Sequence, residues 1–115
     1  MPPTPLIAKF FRTERGTEPV RDWLRSLPRD DCKTIGEDIR TVQIGWPLGM
    51  PLVRKLDSEL WEVRTHLTDS IARVLFTMQG DTMILLHGFI KKSQKTPTTE
   101  LTLAKNRLKL VKGSL

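Results

Sequence analysis

Tyrosine is absent from this 115-residue chain, cysteine occurs once, as Cys32, and histidine only twice, as His66 and His87. Each shortage excludes something. One cysteine cannot close an internal disulfide, which suits a reducing compartment. No Cys/His pair stands at zinc-binding spacing, and the acidic pairs Asp30-Asp31 and Glu37-Asp38 fall on a helical stretch, so no metal site is expected. Two histidines far apart in sequence do not make a nucleophilic triad legible. No glycine-rich run cradles phosphates, and without tyrosine there is no ladder of such rings for stacking bases. No stretch approaches the ~20 consecutive apolar residues of a membrane span. The start, Met1-Pro2-Pro3-Thr4-Pro5, lacks the basic and apolar segments of a signal peptide. The expectation is a cytoplasmic protein with no membrane partner and no cofactor.

What the chain does have is an ordinary globular balance, 38% hydrophobic and 28% charged, in a length that fits a single domain over residues 1–115. Its net charge of +6 is unevenly placed. Residues 1–85 hold 12 Lys/Arg against 12 Asp/Glu, whereas residues 86–115 hold Lys91, Lys92, Lys95, Lys105, Arg107, Lys109 and Lys112 against Glu100 alone. A cationic surface confined to one quarter of the chain points to a polyanionic partner. A solvated helix face would account for part of it.

Residue patterning predicts an α+β domain. Leu6–Phe11 reads as a strand. Thr17 is placed to cap a helix beginning Glu18-Pro19, with Val20, Trp23, Leu24 and Leu27 on one face. Pro28 ends it and opens a second helix with the stripe Cys32, Ile35, Ile39 and Val42, stopped by Gly45 and Pro47. Residues 45–59 are loop-like, with a short strand around Leu52–Leu56. Then the period becomes alternating: Leu60–His66, Ile71–Met78 and Thr82–Ile90 are predicted strands joined by hairpin-length linkers. A last helix begins at Thr96-Pro97, with Leu101, Ala104, Leu108 and Val111 on its apolar face. The expected architecture is an antiparallel sheet of four to five strands, an N-terminal two-helix hairpin and a C-terminal helix.

Alternation sorts the strand residues by face. Trp61, Val63, Val74, Phe76 and Met78 share an apolar side, with Ile84 and Leu86 on the helix-packed side. Glu62, Arg64, His66, Arg73, Leu85, His87 and Phe89 take the other side. Strands paired in order bring Glu62, Arg64, Arg73 and His87 onto one concave face, overhung by the turn Lys91-Lys92-Ser93-Gln94-Lys95. Cations on such a face can stabilise the phosphate charge that develops when RNA is cut through its own 2′-hydroxyl, and Arg does so through a bidentate fork. A Lys crowded by other cations can exchange protons. Plainer readings stand beside this one. Arg64 can pair with Glu62, Arg73 and His87 can be satisfied structural residues, Cys32 can be core, and the three tryptophans can be packing residues.

Leu60-Trp61-Glu62-Val63-Arg64, Ile71-Ala72-Arg73-Val74-Leu75-Phe76 and the run Leu85-Leu86-His87-Gly88-Phe89-Ile90-Lys91-Lys92-Ser93-Gln94-Lys95-Thr96-Pro97, followed by Glu100 and Ala104, resemble the RelE/ParE toxin superfamily and its HigB-like, phage-related branch. The resemblance covers essentially the whole chain. It implies the toxin of a type II toxin–antitoxin system: a metal-independent endoribonuclease acting on mRNA in the ribosomal A site and neutralised by an antitoxin with a helix-turn-helix domain. It further implies that Arg64 and Arg73 are directed at the scissile phosphate and that Lys91, Lys92 and Lys95 form the basic segment after the last strand. The candidate catalytic set is thus Arg64, Arg73 and Lys92, with His87 as a substitute for proton-transfer groups that do not carry over, and Lys91, Lys95 and Glu62 are candidates for RNA binding. Two features depart from relatives: Glu62 stands where some carry lysine, and no tyrosine is present to stack a base. Alternative functions on the same pattern are a ParE-like toxin that poisons gyrase without cutting RNA, and a non-catalytic basic nucleic-acid-binding module.

Overall fold

The computed structural model describes residues 4–113. Its elements run β1 (Ile7–Phe10), α1 (Pro19–Ser26), α2 (Arg29–Gly45), β2 (Val53–Asp57), β3 (Leu60–His66), β4 (Ile71–Gln79), β5 (Thr82–Lys91) and α3 (Thr98–Val111). This is an α+β fold with one mixed sheet in the order β1-β5-β4-β3-β2. β2 through β5 pair antiparallel, whereas β1 lies parallel to β5. The expected sheet was antiparallel throughout. The parallel strand arises because α1, α2 and the meander intervene before β5 is laid beside β1, a connection far longer than a hairpin. Among the described residues no helix is long and apolar enough to cross a membrane.

Helix boundaries follow proline chemistry. Pro19 opens α1 at a position where a missing N–H costs nothing, and Pro28 precedes α2. The residue before Pro19, Glu18, occupies the cap, and no side-chain cap bond forms there. The Thr17 hydroxyl, expected as the cap, instead bonds the Thr13 hydroxyl at 2.6 Å, closing the turn that leads into the helix. The β4–β5 hairpin turns on Gly80, whose φ of +59° suits a residue without a Cβ.

Each face of the sheet is covered. Val20 of α1 and Ile35, Ile39 and Val42 of α2 pack on Val63, Val74, Phe76, Met83 and Leu85. The three tryptophans pack against this same core. Trp46 meets Trp61 edge-on at 5.3 Å, a geometry favoured by the ring quadrupoles. Ala104 of α3, with Leu101, Leu108 and Val111, packs on Leu60, Leu75, Ile84, Leu86 and Phe89 on the opposite face.

The alternation of β5 is broken. Leu75 pairs with His87 but the next residue, Phe76, pairs with Leu85, leaving Leu86 as an extra residue. This β-bulge inverts the phase of the strand. Leu85 therefore joins the α1/α2 core, and Ile84 and Leu86 join Phe89 on the α3 side. This corrects the expected division of β5, which assumed an unbroken period of two.

Candidate functional site

Arg64 of β3 and Arg73 of β4 are direct cross-strand partners, and Phe89 of β5 stands beside Arg73 in the same row. One row away, Arg54 of β2 lies opposite Glu62, and Glu62 opposite Leu75, which pairs with His87. The strands thus bring Glu62, Arg64 and Arg73 to one face, as the alternation predicted. That face is not the open concavity expected. Glu62 and Arg73 are 0% exposed and Arg64 5%, because the segment between β5 and α3 folds over them.

Two side chains in β3 and β4 hold that segment. Arg64 donates from Nη1 to Glu62 Oε1 at 3.1 Å and to the Gln94 carbonyl at 3.2 Å, and from Nη2 to Gln94 Oε1 at 2.8 Å. Arg73 donates from Nη1 to the Lys95 carbonyl at 2.8 Å and from Nη2 to the Ser93 carbonyl. The other oxygen of Glu62 accepts from the Thr96 hydroxyl at 2.7 Å. The guanidinium forks, which present several donors in a fixed plane, therefore hold the backbone of Ser93, Gln94 and Lys95 against the sheet. Lys91, Lys92 and Lys95 stay exposed on the outer surface of this held segment.

Like charges face each other across β3 and β4, and Glu62 is the neutralising group. Burial lowers the proton affinity of Arg73; Glu62 opposes that shift, while Arg64 and Arg54 add to it. The Arg73 guanidinium also lies 5.7 Å from the Phe89 ring centre, where a cation gains from the π face. Its Nε is buried without a hydrogen-bond partner.

His87 belongs to a different arrangement. Its Nε2 lies 2.7 Å from Glu100 Oε1 of α3, and Arg107 Nη1 approaches Nδ1 at 3.4 Å. Arg107 also donates to the Leu86 carbonyl at 2.8 Å. Both imidazole nitrogens are thus engaged in joining β5 to α3. His66 is the exposed histidine. It pairs with Ile71, which pairs with Lys91, so His66 and Lys91 flank one residue on the sheet face that carries Arg64 and Arg73.

Sequence reasoning passed over Gln94, Thr96, Arg54 and Arg107 as site residues. Gln94 and Thr96 sit inside the motif run, but a loop has no periodicity to say which side chains turn inward. Arg54 required the β2–β3 register. Among the described residues no group of His, Cys, Asp or Glu is placed to hold a metal ion.

A mixed sheet with a helical hairpin on one face and a C-terminal helix on the other is a RelE-like fold. Residues 22–109, well over half of the chain, match the family described as phage-derived protein Gp49-like (DUF891), and the chain belongs to that family. The family is of the RelE-like toxin type. No curated protein matches the chain.

Proposed function

We propose that this protein is the toxin of a toxin–antitoxin pair and that it cuts mRNA on the ribosome, as its HigB-like motif run implies. The observation that carries this reading is the exposed lysine segment, Lys91, Lys92 and Lys95, held at its backbone by two buried arginines. A segment fixed in this way presents its ammonium groups to a phosphate with little ordering left to do, and preorganised charge usually contributes more to such catalysis than any other single effect.

In this reading Arg64 and Arg73 are positioning residues and the lysines contact RNA. The reaction needs a proton removed from a ribose 2′-hydroxyl, attack of that oxygen on phosphorus, and a proton given to the departing 5′-oxygen. The products are a 2′,3′-cyclic phosphate and a 5′-hydroxyl. His66 supplies the base, because its imidazole is open to solvent and level with Lys91, whereas His87 has both nitrogens occupied. The lysines neutralise the phosphate and supply the second proton.

The test incubates the purified protein with labelled mRNA, with and without ribosomes, in a buffer whose magnesium keeps the ribosomes intact, and maps the transcript ends. Ribosome-dependent cleavage leaving 5′-hydroxyl and 2′,3′-cyclic phosphate ends is the expected result. It should be lost in Lys91→Gln/Lys92→Gln/Lys95→Gln with circular dichroism unchanged. Intact transcripts alongside growth arrest and DNA-damage signalling would replace this reading with gyrase poisoning.

A further inference from the structure

Far from the lysine segment, on the helical hairpin that covers the other face of the sheet, α1 and α2 enclose a cleft of about 480 Å³ lined by Leu24, Arg25, Leu27, Arg29, Cys32 and Lys33. Leu24, Leu27 and Cys32 are half-buried and form its apolar floor, while Arg25, Arg29 and Lys33 are exposed around it. No acidic side chain lines the cleft. Among the described residues none of the three cations takes part in an ion pair.

Folding gives a reason for Arg25, which stands in the last turn of α1 where a cation suits the helix dipole, but not for the other two cations. Arg29 is the first residue of α2, where a cation opposes the helix dipole. Lys33 stands four residues later, where a like charge weakens a helix further. Both placements become favourable once carboxylates occupy the cleft. The volume falls within the range of ligand sites, but the cleft opens broadly to solvent rather than enclosing a small molecule. An RNA backbone would satisfy the cations and leave Leu24, Leu27 and Cys32 uncovered. An amphipathic peptide segment satisfies both.

We infer that the α1–α2 cleft docks an acidic amphipathic segment of a partner protein, with apolar side chains on Leu24, Leu27 and Cys32 and carboxylates on Arg25, Arg29 and Lys33. The inference does not depend on RNA cleavage. The cleft and the lysine segment lie on opposite faces of the sheet, so both can be occupied together.

Cys32, the single cysteine, is a free thiol in the cleft floor and reports on occupancy. Displayed random peptides of about twelve residues are selected on the intact protein, the winners are synthesised, and the rate of Cys32 alkylation by iodoacetamide is measured with and without them. The expected winners combine Asp or Glu with Leu or Phe at helical spacing. At a free concentration of about ten times Kd they slow alkylation roughly tenfold, by mass action. Arg25→Gln/Arg29→Gln/Lys33→Gln weakens their binding about tenfold, the sum of three partly exposed ion pairs of ordinary strength. The inference fails if winners leave the alkylation rate unchanged, if they bind the triple variant equally well, or if a uridine oligonucleotide protects Cys32 and no acidic peptide does. The alkylation footprint is read on the unsubstituted chain, so it decides the matter even if the variant misfolds.

Discussion

At the scale of single residues, several motif positions have structural reasons. Gly88, inside the His87-Gly88-Phe89 run, lies under the Trp23 ring of α1, and a Cβ built on it would come within 2.4 Å of that ring. Gly88→Ala should therefore overpack the α1–β5 contact and cost about 1–3 kcal/mol, read as a lowered Tm. Arg73 is buried and tied to two loop carbonyls. Arg73→Ala leaves the Ser93 carbonyl without its donor and the Lys95 carbonyl with only the Ser93 hydroxyl at 3.2 Å, a loss of about 1–3 kcal/mol for a group left buried and unpaired. Faster amide exchange across residues 93–96 should accompany it; unchanged exchange there would remove the positioning role. The histidines should separate. His66→Gln should lower cleavage by roughly 10²–10⁴, the usual worth of a general base, without moving Tm. His87→Gln should chiefly lower Tm, because it breaks the tie to Glu100.

At the scale of elements, the bulge in β5 decides the site. It lets Leu86 and His87 share a face, so that Ile84 and Leu86 bury against α3 while Phe89 lies beside Arg73. Deleting Leu86 would restore simple alternation and leave every other β5 residue on its present face, because Leu85 and His87 already pair with the neighbouring residues Phe76 and Leu75. What is lost is the Leu86 side chain, buried against α3, so the variant should still unfold cooperatively but with a Tm lowered by a cost of about 2–5 kcal/mol. A second link ties β2 to α3: Lys105 Nζ lies 3.0 Å from Asp57 Oδ2. The Ser58 backbone N–H, first, and Lys105, second, hold the Asp57 carboxyl below the ordinary carboxylate range. A depressed folded pKa means stability that is present above the unfolded value, about 3.9, and lost as pH falls through the folded value. Asp57→Asn should therefore flatten the acid limb of the Tm–pH curve, and added salt should mimic part of that change because the pair is exposed.

At the scale of the whole molecule, the sheet separates two basic surfaces. The lysine segment lies over one face and the α1–α2 hairpin covers the other. If Lys91, Lys92 and Lys95 are the phosphate contacts, the affinity for single-stranded RNA should fall with salt on a log–log slope of about −2, at roughly −0.7 per contact. The triple glutamine variant should be nearly insensitive to salt. A slope near −5 would mean that other cations, such as those of the hairpin, also carry RNA.

Much of this was legible in the residues. Alternation in β3 and β4 placed Glu62, Arg64 and Arg73 on one side, and the 3.6-residue stripes and prolines located all three helices, because each signal is local and periodic. Thr17 misled as a helix cap because its hydroxyl found Thr13 instead. By itself the sequence determined the element types, the shared face of the arginines and the concentration of positive charge after residue 85, since these depend on neighbours along the chain. Only the tertiary structure decided the bulge in β5, the parallel placement of β1, the burial of Arg64 and Arg73 beneath the segment they hold, and the engagement of both nitrogens of His87. Those outcomes rest on pairings between residues far apart in sequence, where register and the closing of a loop choose which hydrogen-bond donor meets which acceptor.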